Sequence, residues 1–350
     1  MANDPFNHSP QDPYIIAEIG VNYEGSMERA KQMISQVARA GGHAAKFQTY
    51  KADKIASKAH APAYWDTTKE VTPSQHELFR KYDAFGPDEY RELAKHCTDE
   101  GIDFMSTPFD LDAVDDLDPL VPHWKIASAD LTNIPLLRKV AKTGKPIIMS
   151  CGASTHEEIR NSLKVLQEAG ATKIALLHCV LRYPTPASVA NVSAVRSLSA
   201  EFGAQTAIGY SDHVPPMADG NVPALKLALA YGATILEKHF TDDRNGVGND
   251  HYHAFDEAGL KAFTSELAEM RLLNGTGVPD TGSQVAAITN ARRRIMAAQA
   301  IPAGTVLSED NLIALRANVG AEISEWDNVV GRTLTISKAD GEPILLSDVL

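Results

Sequence analysis

The stretch PIIMSCGASTHEEIRNSLKVLQEAGATKIALLHC, residues 146–179, decides the fold. It opens on a short apolar run, passes into a segment from His156 to Ala169 with helical period, meets Gly170, and closes on a second apolar run at 174–179. Near-continuous apolar strands flanking one helix mean a parallel pair with a crossover helix, because such strands are buried on both faces. The unit recurs. Comparable apolar runs occupy 13–20, 43–50, 103–109, 123–128, 206–212 and 234–240, and helical stretches such as Met27 to Arg39, Pro87 to Glu100 and Asp256 to Leu273 lie among them. Eight βα units in about 275 residues predict an α/β protein, a closed (β/α)8 TIM barrel. An open doubly wound sheet is the alternative, and it is weakened because no strand runs into a GxGxxG turn while polar residues gather at the C-terminal ends of nearly all of them.

One spacing breaks the rhythm. The second and third strands start 60 residues apart, where the other starts lie 20 to 32 apart, and the excess falls in 51–85 with Tyr64 and Trp65. It reads as a long βα loop on the catalytic face or a plain surface insertion, with equal weight. After Leu273 the texture changes to NGTGVPDTGSQ, a linker, and then to a segment opening with Arg292, Arg293 and Arg294. The expected division is a barrel over 1–275, a linker over 276–290 and a small domain over 291–350. Within that domain, 301–312 and 336–350 look like two copies of one pattern, which predicts an internally duplicated fold.

Composition narrows the function. A chain of 350 residues, 44% hydrophobic and 22% charged, is an ordinary globular protein, and its net charge of -12 argues against nucleic-acid or anionic-membrane partners, which need clustered Lys or Arg. Three cysteines, Cys97, Cys151 and Cys179, form neither a disulfide framework nor a zinc-ligand pattern, and no run of 18 apolar residues or export signal is found. A reducing cytoplasm fits this best.

Strand ends are where a barrel displays chemistry, and here the ring is polar: Glu18 and Asn22, Lys46 and Gln48, Thr107, Lys125 and Ser128, Ser150, His178, Ser211 to His213, and Glu237 to His239. Alternation gives Lys46 and Gln48 one face, and Glu237 and His239 another. Lys46 and Lys125, with the hydroxyls of Thr107, Ser128 and Ser211, suit a phosphate or carboxylate on the barrel axis; the competing reading pairs each lysine with a structural carboxylate. His213 and His239 follow adjacent strands and suit one divalent cation with open positions for water and a substrate carbonyl, whereas His178 reads as a hydrogen-bonded core histidine.

These segments resemble the sialic acid synthase family: AEIGVNYEG (17–25), KFQTY (46–50), STPFD (106–110), KIASADLTNIPLL (125–137), GYSDH (209–213), EKHFTDDRN (237–245) and NDH (249–251). The region from Arg292, with NLIALRANVG (311–320), looks like the antifreeze-like SAF domain that follows the barrel in that family. The resemblance implies condensation of phosphoenolpyruvate with an N-acylated mannosamine-type sugar aldehyde to give a nonulosonic acid and phosphate. It implies Mn²⁺ or Mg²⁺ on His213 and His239; phosphoenolpyruvate on Lys46, Thr107, Lys125, Ser128 and Ser211; and the sugar facing Glu18, Gln48, Asp130, Tyr183 and Asp250. Glu18 is the candidate carboxylate for the oxocarbenium or the attacking water. A domain-swapped homodimer is implied too, with Arg316 reaching the sugar's acyl group.

The sequence also departs from the family. Tyr23, Asp130, Leu181 and Asn249 stand where His, Glu, a polar residue and Pro are usual, most of them on the sugar side, so legionaminic, pseudaminic and deaminated acids stay open as products. Three competitors remain beside this reading. One is another phosphoenolpyruvate-using or aldol-type barrel acting on a phosphorylated sugar, one is a sugar- or ice-binding protein, and one is a Schiff-base aldolase built on Lys125 or Lys238.

Overall fold

Strand after strand, the chain returns to the same sheet in the same direction. The computed structural model describes residues 4–65, 67–68, 70–248 and 250–350, so Asn249 lies outside the described residues. The strands are β1 (Tyr14–Gly20), β2 (Ala44–Thr49), β3 (Asp103–Pro108), β4 (Trp124–Ile126), β5 (Ile147–Ser150), β6 (Ile174–Cys179), β7 (Ala207–Asp212) and β8 (Ile235–His239). They hydrogen-bond in the order β3-β2-β1-β8-β7-β6-β5-β4, every ladder parallel. β3 and β4 lie side by side without a ladder, so the barrel is nearly closed, with its seam beside the three-residue β4.

Crossover helices begin where their caps permit. The helix His156–Glu168 starts at Thr155, whose hydroxyl accepts from Glu158 N while the Glu158 carboxylate accepts from Thr155 N, so two otherwise orphaned amides are satisfied.

The pleat divides each strand between two cores. Ile15, Ala17, Ala45, Phe47, Phe104, Trp124, Ile147, Met149 and Ile208 face outward into the shell that the helices cover. Tyr14, Ile16, Ala44, Met105, Ile148, Ala175, Leu177 and Ile235 face inward and fill the barrel's lower half. This floor is tight at Gly209, where a Cβ would come within 2.4 Å of both Leu177 Cδ2 and Ile235 O. Beneath it the Tyr14 hydroxyl donates to Asp103 Oδ2 at 2.7 Å and lies 3.0 Å from His123 Nε2, which is left to donate to the phenol oxygen.

The chain forms two compact units, 1–274 and 275–350. The second holds an antiparallel pair, β9 (Arg293–Ala297) and β10 (Leu312–Arg316), over a small core of Ile295, Ile301, Leu307, Leu312, Val329, Leu334 and Ile344. The first of its two similar segments runs antiparallel to the start of the second and the residues just before it, Ile301 bridging Lys338 and Val306 bridging Thr333. Among the described residues no helix is long and apolar enough to cross a membrane. Cys97, Cys151 and Cys179 are buried free thiols.

Candidate active site

Above the apolar floor, the next inward position on each strand is polar. Glu18, Lys46, Gln48, Thr107, Lys125, Ser150, Cys179, Ser211, Glu237 and His239 line one cavity of about 380 Å³. Residues just past the strands complete it: Ser128 and Asp130 on a single 3₁₀ turn after β4, Leu181 and Tyr183 after β6, His213 directly after β7, and Asp250 from the segment following β8. Ser128 needs its close neighbour to be glycine, since Gly152 N donates to its Oγ at 2.9 Å and a Cβ at 152 would also stand 2.9 Å from that atom. The excursion over 51–85, threaded by the helices Ala52–Ile55 and Gln75–Tyr82, contributes Ile55, Tyr64, Trp65, Leu78 and Phe79 to the wall. Of its two readings, the loop on the catalytic face is therefore the one observed.

Every barrel residue expected at the site lines this cavity, and parity along the strands sorts the neighbours that do not. His178 turns outward, stacked on Tyr210 at 5.6 Å, with Nε2 3.0 Å from Ala190 O. Lys238 also faces away, donating to Asp212 Oδ2 at 2.6 Å and to Val214 O at 2.8 Å. Of the departures, Tyr23 is not one on the sugar side: it is buried in the outer shell, 4.8 Å from the Phe85 ring and 5.8 Å from the Phe47 ring. Arg316 belongs to the second unit, exposed at the end of β10.

Four buried charges sit at the cavity base. Lys46 Nζ lies 2.5 Å from Glu18 Oε2 and 3.6 Å from Glu237 Oε2, and Lys125 Nζ lies 3.4 Å from Glu237 Oε1. Lys46 also donates to Thr107 Oγ1 at 3.2 Å, and Ser211 donates to Glu237 Oε1 at 2.9 Å. The carboxylate pairing that competed with the anion reading is thus present for both lysines, and both lysines still face open space. Burial penalises each charge and the pairing counters it. Glu18 is raised by burial despite Lys46, whereas Glu237 is drawn down to about 2 because Lys125 and Lys46 outweigh its burial. Lys125 is lowered by burial and by the nearby Lys46 charge against the pull of Glu237; Lys46, buried too, is raised by Glu18 and Glu237. Glu237 is the hinge of this quartet, and reading strand ends one residue at a time underrated it.

At the ends of β7 and β8 the imidazoles converge. His213 and His239 rings are 5.3 Å apart, and His213 Nδ1 lies 2.8 Å from Val180 O, a bond it must donate, which leaves Nε2 free. His239 Nδ1 is buried with no hydrogen-bond partner. Among the described residues, however, the potential ligand atoms that lie within 4.8 Å of one another belong to His239, Asp250 and His253, without His213. The Asp250 carboxyl is raised to about 7 by burial and by the Glu18 charge. Imidazole nitrogens and a carboxylate oxygen fit a divalent cation, and a buried unpaired nitrogen is the mark of a ligand position. His253 was not legible as a site residue. The chain brings it there because Phe255 pairs alongside the end of β8, its N donating to His239 O at 2.7 Å and Thr241 N donating to its carbonyl at 2.8 Å. The one local signal was a histidine at both 251 and 253.

Comparison with known proteins bears on this site. The NeuB family model matches residues 33–279, and the SAF domain model matches residues 292–350. An uncharacterized protein of Methanocaldococcus jannaschii is 36% identical over 340 residues, covering 96% of this chain and 94% of that protein. An N,N'-diacetyllegionaminic acid synthase of Campylobacter jejuni is 34% identical, covering 94% of this chain and 98% of that one. Among solved structures, the N-acetylneuraminic acid synthetase of Leptospira borgpetersenii is 31% identical with a TM-score of 0.68, over 79% of this chain and 91% of that chain.

Proposed function

The chain belongs to the NeuB family, and we propose that it condenses phosphoenolpyruvate with an N-acylated mannosamine-type hexose aldehyde to give a nonulosonic acid and phosphate. One observation carries the reading: two buried lysines from β2 and β4 face the same cavity as His213, which follows β7, and His239, which ends β8. Anion-holding lysines and metal-type imidazoles in one cavity are the groups that a reaction between an anion and a carbonyl requires.

In the proposed step, carbon 3 of phosphoenolpyruvate bonds to the aldehyde carbon, the carbonyl pair moves to oxygen, which takes up a proton, and carbon 2 becomes an oxocarbenium. Water then adds at carbon 2 and loses a proton, and the bond from carbon 2 to the phosphate oxygen breaks as the new hydroxyl becomes the ketone and its proton passes to the departing phosphate. Lys46 and Lys125 hold the phosphate and carboxylate, assisted by Thr107, Ser128 and Ser211, exchanging carboxylate partners for the substrate's oxygens. Glu18, with its raised affinity for a proton, is placed to receive the one that the added water releases. A divalent cation, when bound at the histidine wall, supplies Lewis-acid polarisation of the aldehyde. Gln48, Asp130, Tyr183 and Asp250 orient the sugar, and Arg316, from the second unit of a partner chain in a homodimer, meets its acyl group; that last element rests on family resemblance.

A second acceptor has its own support. Leu181, Ile55, Leu78 and Phe79 make part of the wall apolar, which suits a deoxygenated carbon, and a diacetyllegionaminic acid synthase is among the relatives. A diacetamido-trideoxyhexose therefore belongs in the test. Purified protein is incubated with phosphoenolpyruvate, Mn²⁺ and a panel of hexoses, and phosphate and 2-keto acid are followed with and without chelator. Sugar-dependent, chelator-sensitive release is expected; borohydride trapping of phosphoenolpyruvate-derived carbon on Lys125 without any metal requirement would overturn the scheme.

A further inference from the structure

His253 has no visible reason to be a histidine. Its side chain is 0% exposed, and neither Nδ1 nor Nε2 has a hydrogen-bond partner. A buried imidazole in that state forfeits the bonds both nitrogens made in water and gains none, so a smaller apolar residue would serve packing better. What surrounds it is not apolar. Its ring lies 4.6 Å from that of His239, and its Nε2 is 3.9 Å from Asp250 Oδ1, the same distance that separates His239 Nδ1 from that oxygen. Three ligand-type groups, two of them carrying orphaned nitrogens, bring their ligand atoms within 4.8 Å of one another.

We propose that His239, Asp250 and His253 form a two-histidine, one-carboxylate centre, and that this third ligand makes the chain select a borderline first-row ion such as Zn²⁺ or Co²⁺ over Mg²⁺. Imidazole nitrogen favours such ions, whereas Mg²⁺ prefers oxygen and keeps its waters. Three protein ligands also leave positions open for water and a substrate oxygen, as a catalytic centre requires. His213, tethered through Nδ1 to Val180 O, presents Nε2 from a ring 5.8 Å from His253 and so adds a third imidazole beside the centre.

The inference rests on the metal-dependent part of the proposed function, and its test uses no substrate. Full-length protein freed of metal by chelator dialysis is titrated with Co²⁺, following d–d absorption, with Zn²⁺ by competition against a chromogenic chelator, and with Mg²⁺ by calorimetry. Wild type is expected to take one Co²⁺ per chain. His253→Ala and the bulkier His253→Gln are expected to lose roughly tenfold or more in Co²⁺ and Zn²⁺ affinity with an altered absorption band, while Mg²⁺ affinity moves less than about threefold. Metal-free His253→Gln, which keeps most of the ring's volume, should melt no lower than metal-free wild type, because neither ring nitrogen has a hydrogen bond to lose. Retention of Co²⁺ and Zn²⁺ affinity within about threefold in both variants would overturn the proposal, as would a lower metal-free melting temperature with an unchanged band, which makes His253 a packing residue. A chain that binds Co²⁺ as expected yet releases no phosphate with any sugar would fail only the condensation.

Discussion

The two ends of this barrel are built from the same eight strands and treat polar atoms in opposite ways. At the floor, Tyr14, Asp103 and His123 are buried and joined by hydrogen bonds beneath a plug of Ile16, Ala44, Met105, Ile148 and Ile235. At the mouth, Ser150 Oγ, His239 Nδ1 and both nitrogens of His253 are buried without partners, and two lysines are packed against two carboxylates. Stability arguments account for the floor. They do not account for the mouth, where unpaired groups and crowded charges cost folding free energy that an apolar filling would not. The difference assigns holding the barrel together to one end and binding to the other, and it can be broken by experiment.

The hardest blow to the mouth is Lys125→Met. It should lower kcat/KM for phosphoenolpyruvate roughly 10³-fold, equivalent to about 4 kcal/mol of transition-state stabilisation. Circular dichroism separates that loss from unfolding, and a variant that stays folded with near-normal kcat/KM would end the anion reading of the cavity. The floor should respond to acid instead. Burial lowers His123 to about 4 from an ordinary value of 6.5, so the folded state holds it neutral. Its contribution is complete above pH 6.5 and is lost as pH falls from 6.5 towards 4, amounting to about 3 kcal/mol. Urea unfolding at pH 7 and pH 4 should therefore show His123→Gln losing less stability on acidification than wild type; equal losses would remove His123 from the account.

Tyr14→Phe deletes the hydroxyl between Asp103 and His123 and should cost about 2 kcal/mol of stability while leaving kcat/KM within about twofold. A large kinetic effect with little loss of stability would mean that the two ends are not separable. The smallest expected change is Leu181→Thr, which alters one wall of the cavity and should shift the ratio of kcat/KM between acetamido-hexose and trideoxyhexose acceptors by about tenfold. An unchanged ratio would take Leu181 out of sugar selection.

Much of the mouth was legible because period two is a local rule. Once Lys46 and Gln48 are placed on one side of a strand and Glu237 and His239 on one side of another, the pleat fixes which partners share the barrel axis, and it turns His178 and Lys238 outward by the same count. Tyr23 escaped this logic because it follows β1, in a turn that swings its ring back against Phe47 and Phe85. The charge quartet was half legible: carboxylate pairing of each lysine stood as the competing reading, but not that Glu237 would serve both.

The sequence by itself determined the order of strands, the side each strand residue takes, the chemistry of the ring and the boundary near Leu273 where a second unit begins. Only the tertiary structure decided that the excursion after β2 walls the cavity and that Glu237 lies between two lysines. Only it brought His253 beside His239, when Phe255 paired with the end of β8. The physical reason is one of range. Side-chain alternation is set within a few residues by backbone geometry, whereas the path by which a loop returns to its barrel is set by contacts between segments distant in sequence.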